Sequence, residues 1–253
     1  MNEANQQGDD APSAGGTQVR RDVVVAIPCY NERENLPRLI PEVLAAHERI
    51  RVIVIDDNSP DGTGALADDI SAAEERVEVI HRPGKLGLGT AYRDAMIRAA
   101  QGDCRLFITM DADFSHHPRY LAEMIGKAAE FDAVIGSRYI AGGGVENWGA
   151  KRRLMSWMAG LSVRLLLGLM KIRDPMGGYR CYSMEIIRRF GPESIKSRGF
   201  SFQGEMLYRF RRAGGRMVEI PIIFANRVAG ASKIGAGEAI GLLKTLIALR
   251  LSG

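Results

Sequence analysis

The sequence predicts an α/β fold with a mainly parallel central sheet flanked by helices on both faces. Three observations predict it. Short Val/Ile-rich runs alternate with stretches of helical spacing from residue 23 to residue 137. The runs are apolar throughout, as strands buried on both faces are. The stretches between them are long enough for the crossover helices that parallel strands need. In order, VVVAIP (23–28) is a strand, 33–47 a helix, RVIVID (51–56) a strand and 61–75 a helix opening on SPDGT. VEVIH (77–81), CRLFITM (104–110) and DAVIGS (132–137) are strands, with helices at 88–101 and 118–130 between them. After residue 138 the pattern changes. A Gly-rich loop (142–144) leads to a long helix over 149–170, then the loop RDPMGGYR (173–180). Helices follow at 184–190 and 202–213, then a strand MVEIPIIF (217–224) and an amphipathic helix over 237–250.

The chain has 253 residues, 46% apolar and 25% charged, which suits one large α/β domain over 20–253. Residues 1–19 are polar, without apolar periodicity, and read as a disordered tail. The net charge of +4 carries no global polyanion signature, so nucleic acid is not an expected partner. The distribution says more: eight Lys/Arg lie between Arg138 and Arg180 against only Glu146 and Asp174. Such a zone suits phosphate groups or an anionic membrane surface, or is simply a solvated basic face. Cys29, Cys104 and Cys181 match no zinc spacing and fit a reduced, cytoplasmic compartment. The polar N-terminus is not a signal peptide. The longest apolar stretch, 154–170, contains Arg164 and falls short of the roughly 20 residues of a membrane span.

Ligands of doubly covered parallel sheets bind beyond the carboxyl ends of the strands. Three polar clusters fall at such ends: PCYNE (28–32), DDNSPDGT (56–63) and DADFSHH (111–117). Asp111 and Asp113 are two apart at a strand end, so in extended geometry both point the same way. Paired carboxylates of this kind hold Mg²⁺ or Mn²⁺, often with a phosphate as further ligand. A general acid/base pair is the weaker reading, because nothing separates the two acidities. His116 and His117 read as helix-entry residues ahead of Pro118, the first helical position. GKLGLGTA (84–91) lacks the Gly-Lys-Ser/Thr ending of a phosphate loop and reads as a glycine-permitted turn into a helix, with Lys85 near the site at most.

Eight motifs in order carry a family resemblance: PCYNERENLP, VIDDNSPDGT, KLGLGTAY, MDADFSHHP, IGSRY, NWGAKRRLMS, FSFQGEM and RVAGASKIG. Together they resemble the polyprenol- and dolichol-phosphate mannose synthases, inverting family 2 glycosyltransferases with a GT-A fold. The resemblance runs from about Val23 to the C-terminus. It implies a nucleotide-sugar half over 20–137 and an acceptor- and membrane-facing half over 138–253. It implies that Pro28, Tyr30, Glu32, Ile55 and Asp57 hold the nucleoside of GDP-mannose. Asp111, Ala112 and Asp113 would meet the diphosphate through Mg²⁺ or Mn²⁺, with Asp111 and Asp113 as metal ligands. Arg138, Arg152 and Ser156 would meet the phosphate of a polyprenyl monophosphate or the donor diphosphate, with Asp113, Arg138 and Arg152 central to catalysis. Arg227 and Lys233 would close over the nucleotide. Some relatives carry Gln where this chain has Ser115, a poorer metal ligand, so water is expected to fill that position.

Elementary chemistry agrees with that mechanism. Displacing a nucleoside diphosphate leaves negative charge on the departing oxygens, which a metal and cations stabilise. A phosphate monoester has a second pKa of about 6 and is mostly a dianion at neutral pH. It needs orientation rather than a base, and arginine suits bidentate phosphate binding. Arg152 and Ser156, four apart, share one helix face. The apolar remainder of that helix suits either a core or a membrane interface. A lipid substrate then implies peripheral attachment to the cytoplasmic face of a membrane, aided by an anchor subunit or fused membrane domain. Two other functions are open at this level: glucose transfer from UDP-glucose to the same acceptor, and a non-catalytic nucleotide-sugar-binding subunit.

Overall fold

A computed structural model describes residues 19–225 together with Thr245, Ile247, Leu249 and Arg250. The expected residue 1–18 portion of the tail, Arg227, Lys233 and most of the expected 237–250 helix lie outside the described residues; the four described positions near its end are helical. The elements are β1 (Val23–Cys29), α1 (Leu36–Ala46), β2 (Ile50–Asp56), α2 (Thr63–Ala73), β3 (Val77–His81), α3 (Leu88–Ala100) and β4 (Leu106–Thr109). Then come α4 (Leu121–Lys127), β5 (Ala133–Ser137), β6 (Gly144–Val145), α5 (Ala150–Leu167), β7 (Arg180–Ser183), α6 (Met184–Phe190), α7 (Ser201–Arg212), β8 (Met217–Pro221) and β9 (Ile223–Phe224).

Seven strands form one sheet in the order β3-β2-β1-β4-β7-β5-β8, and β6 pairs with β9 in a small second sheet. All pairings in the large sheet are parallel except those of β7, which runs antiparallel between β4 and β5. Alternation along β1 feeds two cores. Val23, Val25 and Ile27 join a cluster with Leu36, Leu39, Ile40 and Val43 of α1 and Leu121 and Met124 of α4. Val24 and Ala26 face the other way, onto Tyr92 and Met96 of α3 and Phe202, Met206 and Phe210 of α7. Period-two geometry sends successive side chains to opposite faces, so an all-apolar strand buries both.

The structure departs from the sequence expectation in several places. RCYS (180–183) is a strand, hidden in what reads as the end of a loop; it is fully enclosed between two other strands, and four residues carry no period to count. The expected strand over 217–224 is two strands: after Pro221 the chain leaves β5 and pairs with β6. The expected helix over 118–130 opens with a 3₁₀ turn at Pro118–Tyr120 and ends at Lys127. The helix expected to reach residue 170 stops at Leu167, because Gly168 turns left-handed at φ 66° and donates back to the Arg164 carbonyl.

Candidate active site

The carboxyl ends of β2, β1 and β4 stand side by side. Pro28 pairs with Ile55, Cys29 with Asp56, and Ala26 with Thr109. The three polar clusters of the sequence therefore share one edge of the sheet. Each loop leaving these strands contains a non-glycine residue at positive φ: Asn31 (62°), Asn58 (59°) and Phe114 (59°). Asparagine tolerates this conformation; phenylalanine rarely adopts it. Phe114 therefore marks the carboxylate turn as held by its surroundings, with its ring packed on the α1-side core and the Arg38 guanidinium 5.4 Å above it.

The two aspartates after β2 divide their work. Asp56 is buried and turned inward, accepting from the Ser59 hydroxyl at 2.5 Å. A Cβ on Gly64 would stand 2.7 Å from Asp56 Oδ2, so only glycine lets α2 come this close. Asp57 is presented to the cleft and accepts from Arg82 Nη1 at 2.6 Å. Burial raises the Asp57 carboxyl pKa, and Arg82 opposes that rise. Arg82, itself buried, also donates to Thr90 of α3 and lies 3.1 Å from Asp94. Tyr30 follows β1, with the Lys85 ammonium 3.4 Å from its ring centroid. Glu32 is pinned through its main chain, whose N–H donates to Thr63 Oγ1 at 2.9 Å. Ile55 is wholly buried on the α3 side and Ala112 is buried in the α1-side core. A ligand can meet these two only through the main chain.

β4 ends at Thr109, so Asp111 and Asp113 stand in a turn and not on the extended strand expected from sequence. His116 shapes that turn. Its Nδ1 accepts from the Asp111 N–H at 2.9 Å, while its ring stacks on Tyr179 at 4.9 Å and meets the edge of Phe224 at 5.5 Å. His117 caps the 3₁₀ turn by accepting from the Arg119 N–H. Ser115 is buried, and its hydroxyl donates to Asp113 Oδ1 at 2.5 Å. It therefore orients a carboxylate, a different task from filling a metal shell. Two adjacent carboxylates fit a hard divalent ion. Among the described residues no group of three or more His, Cys, Asp or Glu converges, so such an ion would take its other ligands from phosphate oxygens and water.

The second bank of the cleft is built around Arg138, just past β5. Asp174 accepts from its Nε and Nη2, both at 2.7 Å, and from its main-chain N–H at 3.0 Å. Gly177 N–H donates to the same carboxylate at 2.9 Å, and a Cβ on Gly177 would crowd it at 3.2 Å. Glu219 of β8 accepts from the main chains of Arg173 and Asp174, both at 2.8 Å. Burial alone would raise the Asp174 pKa, but the Arg138 ion pair and hydrogen bonds hold it below the ordinary carboxylate value. Burial likewise works against the Arg138 charge, and Asp174 more than restores it. Arg138 Nη1 takes no acceptor among the described residues. Three rings surround the guanidinium: Tyr139, Trp148 and Phe224, with centroids 5.3 to 5.6 Å from Cζ.

α5 completes this bank. The Arg152 guanidinium lies 4.0 Å from the Trp148 ring centroid, and the Tyr139 hydroxyl donates to Ser156 Oγ at 2.8 Å. Arg138, Arg152 and Ser156 are thus gathered into one patch, with Asp111 close enough to favour the charged form of Arg138. One departure from expectation matters: the planar fork of Arg138 is committed to Asp174, so only its Nη1 edge remains for a phosphate. Asp174, Arg82 and His116 were missed as site-shaping residues. Asp174 stands as one of two acids in a basic zone, and that imbalance was the one signal that could have singled it out. The outer face of α5 is apolar and exposed, with Leu154, Met155, Met158 and Leu165 each more than half accessible. No helix among the described residues is long and apolar enough to cross a membrane.

Comparison with known proteins decides the family. The model of glycosyl transferase family 2 matches residues 24–191, from β1 through α6. The chain belongs to glycosyltransferase family 2. The polyprenol monophosphomannose synthase of Mycolicibacterium smegmatis is 40% identical over 91% of this chain and 86% of its own length. The undecaprenyl-phosphate mannosyltransferase of Micrococcus luteus is also 40% identical, over 85% of this chain and 88% of its own. Among solved structures, glucosyl-3-phosphoglycerate synthase of Mycobacterium tuberculosis, in complex with Mn²⁺, UDP and glucosyl-3-phosphoglycerate, shares the fold at 20% identity, with a TM-score of 0.61 over 92% of this chain and 79% of that one. The protein is a glycosyltransferase with the mostly parallel, helix-flanked sheet of the GT-A type.

Proposed function

We propose that this glycosyltransferase moves mannose from GDP-mannose to a polyprenyl monophosphate, with inversion at the anomeric carbon. The observation that carries the reading is the pairing of two banks: a carboxylate turn at the end of β4 and, facing it, an arginine patch walled by aromatic rings. The 40% identical relatives named for this chemistry point the same way.

In this reading Pro28, Tyr30, Glu32 and Asp57, with the main chain of Ile55, hold the nucleoside, and Arg227 and Lys233 cover it. Asp111 and Asp113 hold Mg²⁺ or Mn²⁺, which when bound offsets the charge of the departing diphosphate. Ser115 orients the Asp113 carboxylate and His116 holds the Asp111 main chain. The acceptor phosphate is mostly a dianion already, with a second pKa of about 6. Arg138, Arg152 and Ser156 orient it so that one oxygen attacks the anomeric carbon opposite the diphosphate. A carbon–oxygen bond forms on one side while the bond to GDP breaks on the other, and GDP leaves with the electron pair. No proton need move, so the site requires no general base. A single displacement turns an α-linked donor into a β-linked product.

The exposed apolar face of α5, flanked by Lys151 and Arg153, lies in the lipid interface in this reading, on the cytoplasmic side of a membrane. An anchor subunit or fused membrane domain would add to that attachment. The test is incubation with labelled GDP-mannose, polyprenyl phosphate and Mg²⁺ or Mn²⁺. Labelled polyprenyl-phosphate mannose is expected. Turnover of UDP-glucose without any mannosyl lipid would overturn the assignment.

A further inference from the structure

Trp148 sits in the turn before α5 with only 8% of its surface exposed. Two cations lie against its ring: Arg152 Cζ is 4.0 Å and Arg138 Cζ 5.5 Å from the centroid. Phe224 closes a third side edge-on at 5.8 Å. The indole Nε1 is buried and has no hydrogen-bond acceptor among the described residues. A buried donor left without an acceptor costs about 1–3 kcal/mol, so native structures rarely keep one without a purpose. Two guanidinium groups against one ring also bring like charges together. Attraction to the ring face, about 0.5–2 kcal/mol per cation, offsets part of that repulsion.

A phosphomonoester fits these groups: its oxygens can accept from the indole N–H and from the open Nη1 edge of Arg138, beside Arg152. We propose that Trp148 is a binding residue for the acceptor phosphate, donating Nε1–H to a phosphate oxygen and serving as the platform that sets Arg138 and Arg152 around it. The positive end of α5, whose N-cap Gly149 provides no side-chain cap and whose first turn holds no acid, adds to the same field. This rests on the proposed acceptor class, and the experiment separates the two.

The chain has two tryptophans, Trp148 and Trp157. In full-length Trp157→Phe protein, Trp148 alone reports. A water-soluble short-chain isoprenyl monophosphate should change its emission saturably; the parent alcohol should not. A response to inorganic phosphate that matches or exceeds the ester would overturn a site tuned to phosphomonoesters. Trp148→Phe keeps a ring and removes the N–H. It should raise the acceptor KM about tenfold, the equivalent of about 1.4 kcal/mol, while the donor KM and the kcat at saturation hold. Trp148→Leu removes the platform as well and should raise the acceptor KM further. An unchanged acceptor KM in Trp148→Phe, or an equal rise in both KM values, overturns the proposal. Emission that responds to the monophosphate without any mannosyl transfer leaves this site standing and removes the mannosyl-acceptor reading instead.

Discussion

The proposed donor bank hangs from the ends of three neighbouring parallel strands, and each of its loops is a short excursion from its own strand. The proposed acceptor bank is gathered from four separate segments: the end of β5, the turn into α5 with the helix itself, the 173–179 loop and β9. In the carboxylate turn contacts are local: Asp113 is oriented by Ser115 two residues on, and the Asp111 main chain by His116 five residues on. In the acceptor bank they are long-range: Arg138 is paired with Asp174, 36 residues away. A site built from local contacts survives repacking elsewhere. A site built from distant ones depends on the whole fold.

Four substitutions test that contrast, from the largest effect to the smallest. Asp113→Ala should remove transfer almost entirely, by about 10³-fold or more, since it deletes charge stabilisation at the leaving group. Folding should hold, and rates near wild type would sink the metal assignment. Asp174→Asn should instead act on the fold, because it strands a buried guanidinium. Denaturant unfolding should show a loss of about 3–5 kcal/mol. The pH dependence follows from the lowered Asp174 pKa. Its stabilisation is complete above the unfolded carboxyl value of about 3.9 and is lost as pH falls through that value toward the folded one. The substitution should therefore narrow the stability difference between neutral and acid pH; an unchanged acid slope would refute the pairing.

Arg152→Ala should raise the acceptor KM by about 10- to 100-fold, the range for losing a hydrogen bond to a charged group, and barely alter GDP binding measured by calorimetry. Equal loss of both would move Arg152 to the donor bank. Ser115→Ala should be mildest. Removing the hydroxyl that orients Asp113 should weaken activation by the divalent ion about tenfold, seen as a shift of the metal titration with kcat kept at saturating metal. No shift would leave Ser115 a packing residue.

The same contrast explains which parts could be read in advance. Apolar runs such as VVVAIP and RVIVID announce strands because burial on both faces leaves no polar position, and both strands were found within one or two residues. DADFSHHP was legible as chemistry because its carboxylates fall at a strand end in line with two other polar strand ends. RCYS was not legible as a strand: it is too short for periodicity, and its direction depends on two strands far away in sequence. Asp174 and Trp148 stood in plain view within RDPMGGYR and NWGAKRRLMS, but the partner they share, Arg138, lies 36 residues from one and 10 from the other.

The amino-acid sequence by itself determined the layered α/β architecture, the carboxyl-end location of the cleft and the carboxylate turn. These follow from hydrophobic periodicity and strand-end chemistry, which operate over a few residues. Only the tertiary structure decided that Arg138 would spend its fork on Asp174 and would come to the Trp148 ring that Arg152 already meets. The physical reason is that a buried charge must find its partner wherever the fold brings one. That distance is set by packing of the whole chain and leaves no mark on the neighbouring residues.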